Sequence, residues 1–428
     1  MQTLGFNTVP PTVMHVDINS CFATVEQQAN PFLRGKPVAV AAYDSPGGCI
    51  LAPSIEAKTY GVQTGMRVFE GKRLCPGLLV LPPDPNKYRD VHLKLRKIFA
   101  FYTGDFLPKS IDEFVLELGG YPCLQNKTMQ EVGKEIKKRI KKEVGDFMSV
   151  SVGIGPNRFL AKTASNLKKP NGLETIDKNN FEEVFAKLKI TDLTGIKTGY
   201  GRRLWVHGIY TALDLYQAPL SKLRIAFKSV NSYYWYLRIR GWEIDNVEFG
   251  RRSYGNSYAL PKPTLGLKQA LPVLAKLTEK ASFRLRQAGL LAHGVFLFVS
   301  FRDGTYFSRA TTFDEQLFAA SDILKKVKTI FAKAPQRPVR NIAVSCFGLK
   351  DLDSLQLKLF EDVVKKQALS NAIDKMNEDY GFFTVTTAQI AGTEKLIPDR
   401  ISFGQPADVT HQALQAGGVK EIESFLGM

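Results

Sequence analysis

Two stretches of strand-like periodicity bracket an amphipathic helix, and this arrangement limits the central fold more than any other feature of the chain. Val132, Ile136, Ile140 and Val144 recur every fourth residue amid Lys and Glu, the spacing of one apolar helix face. Upstream, Ser110 to Leu118 (SIDEFVLEL) reads as a strand. Downstream, Met148, Val150, Val152 and Ile154 alternate with small residues, the period of a half-buried strand. Ahead of all three, Val13 to Asp17 (VMHVD) is an apolar run that ends in a carboxylate and reads as a buried strand. Strand, strand, helix, strand implies a split α+β layer. A second amphipathic helix begins near Pro156, runs through LAKTASNLKK and stops at Pro170-Asn171-Gly172.

The 428 residues are too many for one core, so two to four domains are expected. After the first strand, FATVEQQANPFLRGKPVAVAAYD predicts a helix, a Pro/Gly turn and a Val/Ala-rich strand. SPGG and a helix around Ser54 to Tyr60 follow, in a small inserted lobe ending near Leu81. The Pro-rich stretch LPPDPNKYRD reads as a joint before a helix over His92 to Tyr102. From Asp177 to Asp245 the pattern is short helices; GRRSYGNSYALP then opens a strand-rich unit containing HGVFLFVSF and RNIAVSCFGL. A last segment from Asp351 differs in composition, and its ALSNAIDKMNEDYG reads as a helix. The aromatics of FLFVSF are expected in the sheet core. No run approaches the ~18 to 20 apolar residues of a membrane span, and MQTLGFNTVPPTV lacks the pattern of a signal peptide. The chain is therefore expected to be soluble, unexported and cytoplasmic. Cys21, Cys49, Cys75, Cys123 and Cys346 form no CxxC pair, and the five histidines show no ligand spacing, which speaks against zinc and for reduced, buried thiols.

Charge narrows the partners. There are 58 Lys and Arg against 41 Asp and Glu, a net +17, and residues 251–350 hold 17 basic and 5 acidic side chains, so +12 of it lies in that stretch. Such a field favours a polyanion, either nucleic acid or an acidic membrane surface, unless the stretch is only a solvated basic face. Asp17, Asp112 and Glu113 sit on strands proposed to share one sheet. Charge inside an apolar strand is costly without compensation, so the three are either structural salt-bridge partners or ligands of hard cations such as Mg²⁺. Two such ions about 3.5 to 4 Å apart would point to phosphoryl or nucleotidyl transfer.

The strings HVDINSCFATVEQ, SIDE and SVSVGIGPNRFLAKTASNLKKPNG resemble, in that order, the Y-family of translesion DNA polymerases, with a bacterial polymerase IV-like body and polymerase V-like features in the fingers. The resemblance spans roughly Thr12 to Leu349. It implies a multidomain α+β right hand with a ferredoxin-like palm (12–22 and 82–176), small fingers (23–81), a helix-hairpin-helix thumb (177–245), a linker (246–252), an α/β little finger (253–350) and a C-terminal tail (351–428). The implied activity is DNA-templated transfer of a nucleotide from dNTP to a primer 3′-OH, of low fidelity and distributive, in translesion synthesis. Asp17 and Asp112 would bridge two Mg²⁺ ions, for which Mn²⁺ could substitute; Glu113 would complete one site and the carbonyl of Ile18 the other. Lys169 matches the triphosphate lysine, although alone it reads as a solvated helix end. Phe22, which alone reads as core, matches the aromatic gate that excludes a 2′-hydroxyl.

Departures lie in the fingers, where Ile55 and Lys58 stand in place of a usual tyrosine and arginine. Lys58 supplies charge but no bidentate fork. Asn19 also departs from a common Asp. In the thumb, Gly-Ile-Lys-Thr-Gly lies between helical runs, with Lys197, Arg202 and Arg203 as phosphate contacts. Arg251, Arg252, Lys262, Arg284, Arg286, Arg302 and Arg309 are candidate DNA contacts of the little finger. Gln356-Leu357-Lys358-Leu359-Phe360 resembles a peptide that docks on the bacterial sliding clamp, with a helix-start apolar pair as the plain alternative. The expected partners are primer-template DNA, dNTP and the clamp, with a monomeric, nucleoid-associated chain. The competing functions are a catalytically inactive clamp-bound scaffold, against which the intact carboxylates argue, and a two-metal nuclease or cyclase, which leaves Phe22, the thumb and the little finger without a purpose.

Overall fold

The computed structural model describes residues 4–247, 250–260, 266–356, 362–393 and 396–397. They fall into two compact units that divide at residues 248 and 249. In chain order the first unit begins β1 (Val13–Ile18), α1 (Cys21–Ala29), β2 (Val38–Ala41), β3 (Ile50–Pro53), α2 (Ile55–Thr59), α3 (Val68–Leu74) and β4 (Leu79–Leu81). It continues α4 (Pro85–Ala100), β5 (Phe106–Pro108), β6 (Glu113–Glu117), α5 (Met129–Glu143), β7 (Val150–Gly155), α6 (Arg158–Leu167) and β8 (Leu173–Thr175). The short helices α7 (Phe181–Lys187), α8 (Thr198–Val206), α9 (Ala212–Gln217), α10 (Leu220–Phe227) and α11 (Asn231–Arg238) complete it.

A five-stranded sheet in the order β5-β6-β1-β7-β8 forms the centre. Because β1 is buried along its whole length, its alternating side chains serve two faces. Met14, Val16 and Ile18 join Leu95, Ile98 and Phe99 of α4 and Val132, Ile136 and Ile140 of α5 in one core. Val13 packs instead with Val115 and Ala161, on the side where α6 lies. The helix α6 lies flush on β7 because β7 carries glycines. A Cβ on Gly153 would stand 2.0 Å from the Ala161 carbonyl oxygen, and one on Gly155 2.6 Å from the Ala161 nitrogen.

Two boundaries differ from the sequence reading. The helix expected over His92 to Tyr102 starts at Pro85, inside the supposed joint. Asp84 accepts from the N–H groups of Asn86 (3.2 Å) and Lys87 (3.4 Å), and Pro85 takes the first helical position, where a missing N–H removes no bond. The strand expected from Ser110 begins at Glu113, so Asp112 lies just before it, and Phe106 to Pro108 adds an edge strand. The inserted lobe is a three-stranded sheet in the order β3-β2-β4 with its own core of Ala39, Ala41, Ile50, Val62 and Val68. Near the start of the chain, Phe6 stacks on Phe181 with centroids 4.1 Å apart and joins the core of the short helices. All five cysteines are free; Cys21, Cys75 and Cys346 are buried and Cys123 is half-buried, but Cys49 is exposed, unlike the expectation.

The second unit contains β9 (Ser253–Ala259), α12 (Leu267–Gln287), β10 (Leu290–Phe301), β11 (Tyr306–Leu317), α13 (Ala320–Phe331), β12 (Val339–Asp351) and α14 (Val363–Tyr380). Its antiparallel sheet runs β11-β10-β12-β9. Of the aromatics expected in the sheet core, Phe301 is core beside Val295, Leu297 and Val299, whereas Phe296 and Phe298 are half-buried and point to the opposite face, beside Ala310 and Ser308 in the register.

The chain after Asp351 is less separate than its composition suggests. Val363 packs with Leu291 and Phe318, and Ile390 with Ala275 and Leu324. Lys276, 4% exposed, donates to the carbonyls of Thr393 and Leu396, each at 2.7 Å. Arg286 corrects the list of candidate DNA contacts. Its Nε and Nη2 grip Asp374 at 2.7 and 2.6 Å, its Nη1 donates to the Phe318 carbonyl, and its side chain is 8% exposed. A guanidinium so enclosed is structural and unavailable to phosphate.

Candidate active site

Ladder register brings the acids together. Asp17 of β1 stands opposite Glu113 of β6 on one side and Ser151 of β7 on the other. The ladder continues one step further, since the Ile18 N–H donates to the Asp112 carbonyl at 3.0 Å, which fixes Asp112 beside the end of β1. Ligand atoms of His15, Asp17 and Glu113 lie within 4.8 Å of one another, and residues two apart on a strand necessarily share that face.

Two lysines meet these acids. Lys162, from α6, donates to Asp17 Oδ2 at 2.5 Å and to Glu113 Oε1 at 2.7 Å; Lys169 reaches Asp17 Oδ1 at 2.9 Å. Burial alone would raise the Asp17 carboxyl, but Lys162 and Lys169 outweigh it and hold the group below its ordinary value. Burial opposes the Lys162 charge, yet Asp17 and Glu113 raise its pKa. Asp112 differs. Burial pushes it up to about 6, the charges of Asp17 and Glu113 add to the rise, and the Ser110 hydroxyl, donating at 2.6 Å, offsets only part. His15 is held well below its usual value by burial and by Lys162, so it is neutral and adds no charge.

Asn19, two residues past Asp17, is 4% exposed and fully engaged. Its amide nitrogen donates to Ser151 Oγ at 2.9 Å, and its oxygen accepts from Ser149 Oγ at 3.0 Å and from the Asn171 N–H at 2.8 Å. Phe22 in the first turn of α1 is 3% exposed and stacks on Tyr88 of α4, centroids 4.3 Å apart. Tyr88 in turn donates to Glu26 at 2.9 Å. Lys58 of α2 is lowered by loss of water and by the like charge of Lys169, while Asp17 pulls the other way.

The structure therefore brings Asp17, Ile18, Asp112, Glu113, Lys58 and Lys169 to one place. It adds Lys162 and His15, which sequence reasoning passed over. His15 was legible as the residue two before Asp17, on the same face; Lys162 carried no signal apart from its place in an amphipathic helix. Elsewhere, Lys197, Arg202 and Arg203 are exposed at a turn where Gly195 adopts φ 95° and α8 begins, preceded by a single 3₁₀ turn at Ile190–Asp192. Arg252 is exposed; Arg251 is half-buried with its guanidinium 4.1 Å from the Tyr254 ring centroid. Arg284 donates to the Gly255 carbonyl and to Asn256 Oδ1, which holds it on β9. The Gln356 N–H donates to Gln316 at 2.6 Å, but Leu357, Leu359 and Phe360, like Lys262, lie outside the described residues.

The model of the impB/mucB/samB family matches residues 16–166, and that of the impB/mucB/samB family C-terminal domain matches residues 251–359. DNA polymerase IV 1 of Bacillus subtilis (strain 168) is 31% identical over 379 residues, covering 86% of this chain and 90% of that protein. DNA polymerase IV of Pelotomaculum thermopropionicum is 31% identical over 383 residues, covering 88% and 94%. A solved Y-family DNA polymerase chimera built on Dbh superposes with a TM-score of 0.69 at 23% identity, over 78% of this chain and 98% of the other, a likeness of fold. Among the described residues no helix is long and apolar enough to cross a membrane.

Proposed function

This chain belongs to the impB/mucB/samB family of Y-family, polymerase IV-like translesion polymerases and is a DNA-directed DNA polymerase, and from that premise we propose how its centre works. A primer 3′-hydroxyl attacks the α-phosphate of a dNTP at Asp17, Asp112 and Glu113, the new ester bond forming as the α–β phosphoanhydride bond breaks and pyrophosphate leaves, with low fidelity and distributive action. The observation that carries this reading is the ladder register that sets Asp17 against Glu113 and ties Ile18 to Asp112.

The residues fit divalent cations. Oxygen donors converge at the neighbouring ends of two inner strands, and Asp112 is pushed up to about 6, the mark of an acid drawn from water and short of positive charge. Asp17, Asp112, Glu113 and the Ile18 carbonyl would hold two Mg²⁺ ions. Bound there, the ions would activate the 3′-oxygen and neutralise charge on the phosphates. Lys162 keeps Asp17 and Glu113 at a fixed separation, and neutral His15 leaves the charge of that face to the acids. Lys169 and Lys58 bind the triphosphate. Phe22, immobilised on Tyr88, excludes a 2′-hydroxyl by contact. A small three-stranded finger lobe closes little over the new base pair, which supports weak geometric selection and acceptance of damaged templates.

The palm would comprise 12–22 and 82–176, with fingers, thumb, linker, little finger and tail as the resemblance divides them. Lys197, Arg202, Arg203, Arg251 and Arg252 would contact DNA phosphates, so binding should weaken steeply with salt. Gln356 to Phe360 would dock on the sliding clamp, and removing it should abolish stimulation by the clamp while bare extension persists. The test of the centre is primer extension in Mg²⁺ on intact and damaged templates. Template-directed products should form with the native protein and disappear with Asp112→Ala plus Glu113→Ala; products that survive that pair of changes would overturn the assignment.

A further inference from the structure

The Asn171 and Gly172 N–H groups of the turn after Lys169 are taken by side chains of the turn after β1 and of β7. Asn19 Oδ1 accepts from Asn171 at 2.8 Å, and Ser151 Oγ accepts from Gly172 at 3.3 Å. From the other side Lys137 donates to the carbonyls of the same two residues, at 2.5 and 3.0 Å. The turn has little freedom of its own. Asn171 sits at φ 62°, and a Cβ on Gly172 would stand 2.0 Å from the Lys168 carbonyl oxygen. Lys169, two residues before Asn171, extends from this clamped turn to Asp17 at 2.9 Å. The turn that follows the strand of the catalytic acid thus carries, two residues past that acid, the anchor of the lysine facing it.

We propose that Asn19 is a positioning residue for the incoming nucleotide: a neutral anchor that sets the Lys169 turn and leaves the Lys169 charge to the triphosphate. The idea rests on the reading of Lys169 as a triphosphate ligand. The amide serves in two ways that a carboxylate would not. Its nitrogen donates to Ser151 Oγ while its oxygen accepts from the turn, and it places no second buried negative charge near Lys169. An Asp here would accept from the same N–H but lose the donor and draw on the lysine.

The test is steady-state single-nucleotide insertion by the full chain, carried out as a double-mutant cycle. Asn19→Ala should raise the KM for dNTP roughly fivefold and change kcat less than about twofold. In a Lys169→Ala background the same change should move KM by less than about twofold, because the anchor has nothing left to position. Asn19→Asp, which keeps the acceptor and the volume, should also raise KM only while Lys169 is present, and it carries the test if the alanine variant melts early. Equal effects of Asn19 substitution with and without Lys169, or none on KM, would overturn the inference while leaving Lys169 its role. A Lys169→Ala protein with unaltered KM would overturn the triphosphate reading itself and this inference with it.

Discussion

Arg286 and Asp374 make a matched pair: one fork, one carboxylate, side chains 8% and 16% exposed, and the remaining guanidinium nitrogen spent on a carbonyl. The cluster at Asp17, Asp112 and Glu113 is mismatched. Lys162 serves two acids, Lys169 serves one of the same two, and Asp112 has the Ser110 hydroxyl instead of a cation. Asp17 and Lys162, 7% and 15% exposed, lie as deep as Arg286 and Asp374, so burial alone does not separate structure from chemistry. The balance of charge does. A closed pair has settled its electrostatics on folding, whereas an open one keeps an affinity for a further positive ligand.

Substitutions should expose the contrast. The largest effect expected is on turnover: Asp112→Asn should reduce primer extension about 10⁴-fold, some 5.5 kcal/mol of transition-state stabilisation, with the fold intact by circular dichroism. Asp374→Ala should do the opposite. Leaving Arg286 buried and unpaired should cost about 3 to 5 kcal/mol in denaturant titration of the second unit, and Arg286→Met with Asp374→Leu should restore most of it. Third comes pH. Asp112 binds its proton more tightly folded, with a pKa of about 6, than unfolded, at about 3.9, so ionisation disfavours the fold. Relative to Asp112→Asn, the native protein should therefore lose about 3 kcal/mol of stability as pH rises from ~4 to ~6, with no further relative loss above that. A native protein that gains on the variant across this window would contradict the open-cluster account. The smallest effect is at the cleft edge, where Lys58→Arg should tighten dNTP binding a few-fold, ~1 kcal/mol, by restoring a fork in place of a point charge.

The strands and the acids were legible because each is announced locally: an apolar run ending in Asp17, alternation from Met148, and a helical period at Val132, Ile136 and Ile140. What the sequence hid is long-range or polar. Lys162 meets Asp17 across 145 positions, and nothing in LAKTAS marks one lysine as turned inward. The start of α4 is hidden because Pro85 reads as a break, although at the first helical turn proline is tolerated. Arg286 counted as surface charge because charge without burial says nothing about its partner. The chain after Asp351 escaped for a related reason. The face that α14 turns toward Asp322 and Arg286 of the same unit carries Lys366 and Asp374, so no apolar period distinguishes it. It also lies past residue 359, where the family match ends.

The bare backbone at Gly153 has a reach beyond its own position. A methyl group there would need to displace the Ala161 carbonyl, and with it the helix whose next residue is Lys162. Substituting alanine would lift that lysine off its two acids without touching any charged atom, so a hydrogen in place of a carbon sets the spacing of an electrostatic centre on the neighbouring strand.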